Sequence, residues 1–234
     1  MKQFVPFVFV LLFLSTPHIL YGQEEEFVPT VVDSLYREDQ FYIGATYNLI
    51  LNRPSGMQIQ GLSGGIQFGY LRDMPINKRR NLAIAIGAGL SFDRYGQNLF
   101  IGETPENETI FTVLDGTTFD ANRFVTATAE VPIEFRWRSS TTTNYRFWRV
   151  YAGMRVGYVY YHRARFKQVN NEVNQTDIPE LERLRLGATL SFGHSTFNLH
   201  SYLGLNPFFK NATTTQGESV DLLTLKLGII FYIL

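Results

Sequence analysis

The 234-residue chain has no cysteine. An exported chain of this composition forms no disulfide, carries no lipid on an N-terminal cysteine, and must hold itself together by hydrogen bonding and packing. An excess of charge of either sign is missing too. Lys and Arg number 21 and Asp and Glu number 21, which gives no electrostatic reason to expect nucleic acid as a partner. Histidine is scarce, at four residues, and no His-x-x-x-His or paired-carboxylate spacing is present, so neither a metal nor a cofactor is expected. The apolar run Phe4 to Leu14 is too short for the roughly 20 residues of a spanning helix.

That run follows Lys2 and ends in a Pro17 break before Tyr21 and Gly22, the layout of a signal peptide cleaved before Gln23. The expected division is a signal peptide over 1–22, a periplasmic leader over 23–39 with an acidic start at Glu24 to Glu26, and a single domain over 40–234. A composition of 45% hydrophobic and 18% charged residues is sufficient for a full core in that domain.

What fills the domain is an alternation repeated about eight times between Phe41 and Ile233. Its clearest copy sets Leu82, Ile84, Ile86, Ala88, Leu90 and Phe92 against Ala83, Ala85, Gly87, Gly89, Ser91 and Asp93. A period of two places each set on its own face of a strand. The other strands are marked by Phe41 to Leu51, Leu62 to Tyr70, Val125 to Trp137, Val150 to Tyr160, Leu184 to Phe192, Phe197 to Phe209 and Leu223 to Ile233. Between them lie a tight turn at Arg53 to Gly56, polar turns at Arg72 to Arg80 and Ser139 to Asn144, and long polar stretches at Gly96 to Asn122 and Arg163 to Glu180.

Alternation alone also suits a soluble, secreted barrel. Three features favour a membrane. The repeats run about ten residues, the length that crosses a bilayer at a tilt. Aromatics gather at two levels: Phe41, Tyr70, Trp137, Trp148, Phe192, Phe197 and Phe231 at the periplasmic one, Phe92, Tyr158, Tyr160 and Phe209 at the outer one. Glycines such as Gly69, Gly89 and Gly187 sit on the polar face, where a narrow lumen needs small residues. The expected fold is therefore all-β, an eight-stranded antiparallel up-and-down barrel in the outer membrane, with lipid as its surroundings.

The inward face also carries charge: Asp93, Glu130, Glu134, Arg136, Arg149, Arg155, Arg183, Arg185 and Lys226. Acids and bases are mixed rather than sorted by sign, which favours a structural plug over a substrate-binding or catalytic lumen. Folding about the 139–144 turn is expected to pair Glu134 with Arg149 and Glu130 with Arg155. No catalytic set is recognised. His194 and Ser195 are neighbours in a turn rather than a nucleophile and base at matched depth.

The segment Glu130-Val131-Pro132-Ile133-Glu134-Phe135-Arg136, with its apolar-Pro-apolar step, resembles a strand motif of the PorT-like outer-membrane β-barrel family of Bacteroidota. Leu203 to Phe208 and Leu225 to Phe231 are similar to that family's last two strands. The resemblance implies a non-enzymatic accessory of type IX secretion, gliding or envelope assembly, with secretion-machinery proteins as partners. The chain's residues alone leave open a surface ligand-binding or adhesive barrel acting through the long loops, and a lipid-modifying enzyme.

Overall fold

The computed structural model describes residues 39–106, 108–114, 119–139 and 147–233. The stretches expected as signal peptide (1–22) and leader (23–39, but for residue 39) and most of the expected 139–144 turn lie outside them. Eleven strands are present: β1 (Gln40–Leu51), β2 (Gly64–Pro75), β3 (Leu82–Gly96), β4 (Leu99–Glu103), β5 (Thr109–Val113), β6 (Ala121–Arg138), β7 (Trp148–Gln168), β8 (Asn171–Gln175), β9 (Leu184–His194), β10 (Phe197–Gly204) and β11 (Leu223–Ile233).

Eight of them close a barrel in the order β1-β2-β3-β6-β7-β9-β10-β11, every neighbour antiparallel. Closure falls between the first and last strands, from Phe41 opposite Ile233 to Leu51 opposite Leu223, and a closed sheet leaves no edge unpaired in lipid. The remaining three strands stand outside this circuit. β4 and β5 form a hairpin within the β3–β6 connection, and β8 pairs with the far end of β7.

The distribution of polarity is inverted relative to a soluble protein. Phe41 is 62% exposed and Leu199 58%, whereas Asp73 and Arg136 are 0% exposed. A belt of outward Ile, Leu, Phe and Tyr side chains this extensive would aggregate in water and is at home in hydrocarbon. At one rim the belt ends in the ring pairs Phe41–Tyr70, Trp148–Phe192 and Phe197–Phe231. The fully described connections at this rim are short, 76–81 and 195–196, whereas those at the other end are long, 52–63, 97–120, 169–183 and 205–222. The usual asymmetry of such barrels turns the long end outward.

Inside, tyrosines fit against glycines. A Cβ at Gly69 or Gly89 would meet the Tyr42 hydroxyl, and one at Gly187 would meet the Tyr202 ring. This is the physical reason for small residues on the inward face.

Several expected boundaries change. Strand reversal after β1 takes residues 52–63 rather than the tight Arg53 to Gly56 turn, because that turn, closed by Met57 N donating to Pro54 O, only starts a longer loop that bridges Ile59 to Gln97. β7 runs to Gln168, well past Tyr160 and into the stretch expected as loop. A bulge makes this continuation hard to see: Ala127 lies opposite Tyr161 and Thr128 opposite Val159, so Tyr160 is an extra residue and the alternation changes phase there. Tyr160 and Tyr161 are both exposed as a result. The seventh barrel strand stops at Gly204, and Phe209, expected in the outer aromatic belt, is buried in the loops instead.

Candidate functional site

Two regions carry chemistry, the filled lumen and the outer cap. The lumen is stacked in layers because inward positions on neighbouring strands come level with one another. At the periplasmic end Asp73 accepts from Arg136 at 3.2 Å and from Arg138 at 2.9 Å. Arg136 also pairs with Glu134 at 3.1 Å and stacks over the Tyr151 ring. In the middle layer Arg155 pairs with Glu130 at 2.9 Å and donates to Gln67. Toward the outside Lys226 donates to Asp93 at 2.5 Å and to Ser91 at 3.2 Å, while Asn48 donates to Asp93 at 2.9 Å.

Glu130 and Arg155 thus come together, but Glu134 and Arg149 do not. Glu134 lies opposite Gly153, and Arg149 lies opposite Arg138, four residues further along the strand. The hairpin closes at a different centre from the one assumed for the 139–144 turn, so Glu134 takes Arg136 on its own strand. Arg149 instead donates to the Ser195 carbonyl and lies over Phe147. Arg183 is exposed ahead of β9 and is no part of the lumen. Arg185 is buried there and serves the cap, donating to the Pro207 carbonyl at 2.6 Å with its guanidinium over Phe208.

Asp73 and Arg138 are charged lumen residues absent from the inward set expected from sequence. Both continue the inward alternation past the assumed strand ends, Asp73 after Gly69 and Leu71, Arg138 after Glu134 and Arg136. Extending each period by one step finds them.

Ser191 and the ring of His200 are hydrogen-bonded at 2.8 Å, with the Tyr232 hydroxyl 3.3 Å from Ser191. No side chain among the described residues meets the second ring nitrogen of His200, so the pair has no acid to orient it, and it is buried where no substrate can reach. Among the described residues no group of His, Asp and Glu is arranged to hold a metal. A void of about 20 Å³ between Asp93, Glu130, Tyr202 and Lys226 has room for roughly one water. Refolded protein in planar bilayers is accordingly expected to show no stable channels. Reproducible conductance that changes with Arg155→Ala would overturn the plugged lumen.

The outer cap is a folded structure. Tyr95 and Phe124 from the barrel rim, Ile101 and Phe111 from the β4–β5 hairpin, Ile178 and Leu181 from the β8–β9 connection, and Phe208, Phe209 and Leu222 from the last loop share one core. Phe209 lies 5.0 Å from Phe111 and 5.7 Å from Phe124, ring centre to ring centre, and Phe208 lies 5.1 Å from Tyr95. Polar ties add to this. Gln175 donates to Glu103 at 3.0 Å and the Ser55 amide to Glu218 at 2.6 Å. On β8, hydrogen bonds from Asn174 and Arg165 hold the Glu172 carboxyl below its ordinary value.

A closed barrel with an apolar exterior, a charged and filled lumen and a capped outer mouth defines an outer-membrane β-barrel. Residues 22–210 match the model of the outer membrane protein beta-barrel domain family, and the chain belongs to that family. Its location is the outer membrane. Among solved structures it is similar to the attachment invasion locus protein Ail of Yersinia pestis, at 15% identity and a TM-score of 0.44 over 85% of this chain and all of that one. A structure of Ail with the heparin analogue sucrose octasulfate gives 16% identity and a TM-score of 0.35, over 85% of this chain and all of that one. Ail in a phospholipid nanodisc gives 18% and 0.36, over 84% of this chain and all of that one. No curated protein matches the chain.

Proposed function

We propose that this barrel is a non-enzymatic, non-conducting platform that engages a ligand or surface outside the cell through its folded cap. The observation that carries the reading is the shared core of the outer connections around Phe208 and Phe209. Loops that only join strands have no need of a common core, whereas loops held in one arrangement present a fixed surface and lose little entropy on binding.

A second reading, an accessory of type IX secretion, gliding or envelope assembly, is supported by the PorT-like resemblance of Glu130 to Arg136 in β6, of Leu203 to Phe208 at the end of β10 and in the loop after it, and of Leu225 to Phe231 in β11. Against it, the described periplasmic turns 76–81 and 195–196 offer a partner little surface. One comparison separates the two. A deletion strain is complemented with the wild-type gene or with a variant whose residues 99–113 are replaced by a short Gly-Ser linker, and both are assayed for attachment to surfaces and for secreted cargo. The first reading expects the trimmed variant to restore cargo but not attachment. Lost secretion or gliding with normal attachment transfers the function to the second reading.

A further inference from the structure

The outer wall of the barrel, facing neither lumen nor cap, carries an unexplained set of cations. Above the bulge the outward positions of β3, β6 and β7 fall into rows. Phe92, Ala127 and Tyr161 form the first, Arg94, Val125 and Arg163 the second, and Arg123 with Arg165 the third. Rows are two residues apart, so the arginines stand about 7 and 13 Å along the strands from the aromatic row. That is headgroup depth, immediately above the apolar belt.

Four guanidinium groups on one patch repel each other, and among the described residues a single carboxylate meets them, Glu172 at 3.0 Å from Arg165. Arg163 donates to Asn174, a neutral acceptor. Arg94 and Arg123 make no side-chain hydrogen bond or ion pair among the described residues. Such an arrangement suits an anionic ligand with several acceptor oxygens, which guanidinium forks bind best.

Below the arginines the wall is hollow and apolar. A pocket of about 170 Å³ between Arg94, Arg123 and Arg165 shares Arg94, Val125 and Tyr161 with one of about 480 Å³ over Ile66, Phe92 and Ala127. Toward the membrane centre Leu90, Ala129, Val131 and Tyr158 line part of a shallow apolar hollow of about 1010 Å³ that also extends over Ile43 and Phe68 on β1 and β2 and Leu184 on β9. Small side chains open this path, since Ala127 and Ala129 stand between Phe92 and Tyr161 and between Leu90 and Tyr158 respectively.

We propose that the outer wall of β3, β6 and β7 is a binding site for a phosphate-bearing glycolipid of the outer leaflet, its phosphates held by Arg94, Arg123, Arg163 and Arg165 and an acyl chain lying over Ala127 and Ala129. A soluble polyanion leaves the apolar groove unused. A second copy of this chain brings the same arginines and is repelled. Only an amphiphile with its charge at headgroup depth matches both parts. This site is independent of whatever the cap binds.

The test uses mature protein refolded in micelles and lipid A carrying two phosphates and six acyl chains, with binding read by native mass spectrometry. Folding of each variant is checked by heat-modifiable gel mobility. Arg94→Gln/Arg123→Gln is expected to weaken retention by at least about tenfold, and the paired Lys variant by less, since charge remains while the fork is lost. Ala129→Leu is expected to weaken lipid A, and inorganic phosphate is not expected to compete. Equal retention of lipid A and its dephosphorylated form, or no effect of the Gln pair, would overturn the proposal. So would competition by inorganic phosphate as effective as that by lipid A, which would leave a simple surface anion site.

Discussion

Asp73→Asn is expected to lower barrel stability by about 3–5 kcal/mol, measured by urea unfolding of the micelle-bound protein. The carboxylate is fully buried and accepts from two arginines, Arg136 at 3.2 Å and Arg138 at 2.9 Å. With its charge gone, both buried guanidinium groups lose their shared carboxylate, Arg136 keeping Glu134 and Arg138 keeping, among its partners, the Arg80 carbonyl at 2.9 Å. Losing the one carboxylate on which two buried guanidinium groups converge is the dominant cost, outweighing the loss of any single hydrogen bond. Asp73→Asn/Arg138→Gln removes one buried charge of each sign and is expected to cost less than the single variant. A loss below about 1 kcal/mol in the single variant means that water reaches this layer and that the plug is open at the periplasmic end.

The barrel itself was legible because one pattern recurs in every strand. A period of two with aromatics at its ends appears in β1, β3, β9 and β11 without any tertiary information, and the filled, mixed-charge lumen follows from the residues between. What escaped the reading depended on phase. The extra residue Tyr160 shifts the alternation in β7, so the outer part of the strand, with inward His162, Ala164 and Phe166, reads as polar loop. The pairing of Glu134 failed for a related reason: register in a hairpin is set by the geometry of its turn, and counting from an assumed turn centre displaced the partner by four residues. The cap was hidden differently. Leu99, Ile101, Phe111, Ile178 and Leu181 are scattered singly or in pairs among polar residues, too sparse for any periodicity, Phe208 and Phe209 follow an alternation that runs on past the strand end at Gly204, and only their convergence from three connections makes a core.

That convergence makes Phe209→Ala the sharpest probe of the cap. The side chain is 1% exposed and touches one ring from another connection, Phe111 on β5, and one from the barrel rim, Phe124 near the start of β6. Truncating a buried phenylalanine costs about 3–5 kcal/mol. The cap core lies beyond the closed circuit of eight barrel strands, so this loss falls on the loops rather than on the barrel. Opening is therefore expected to be local. Limited proteolysis of folded protein should cut within 205–222 far faster than in the wild type, while the heat-modifiable mobility of the barrel is retained. Phe197→Ala, at the lipid-facing periplasmic rim, is the control and should leave the loops protected. If the cap is the binding surface, attachment should fall with Phe209→Ala and not with Phe197→Ala, since only the first releases the arrangement of the loops. Unchanged cleavage in the Phe209 variant would mean that the polar ties, Ser55 to Glu218 and Gln175 to Glu103, hold the cap without its core.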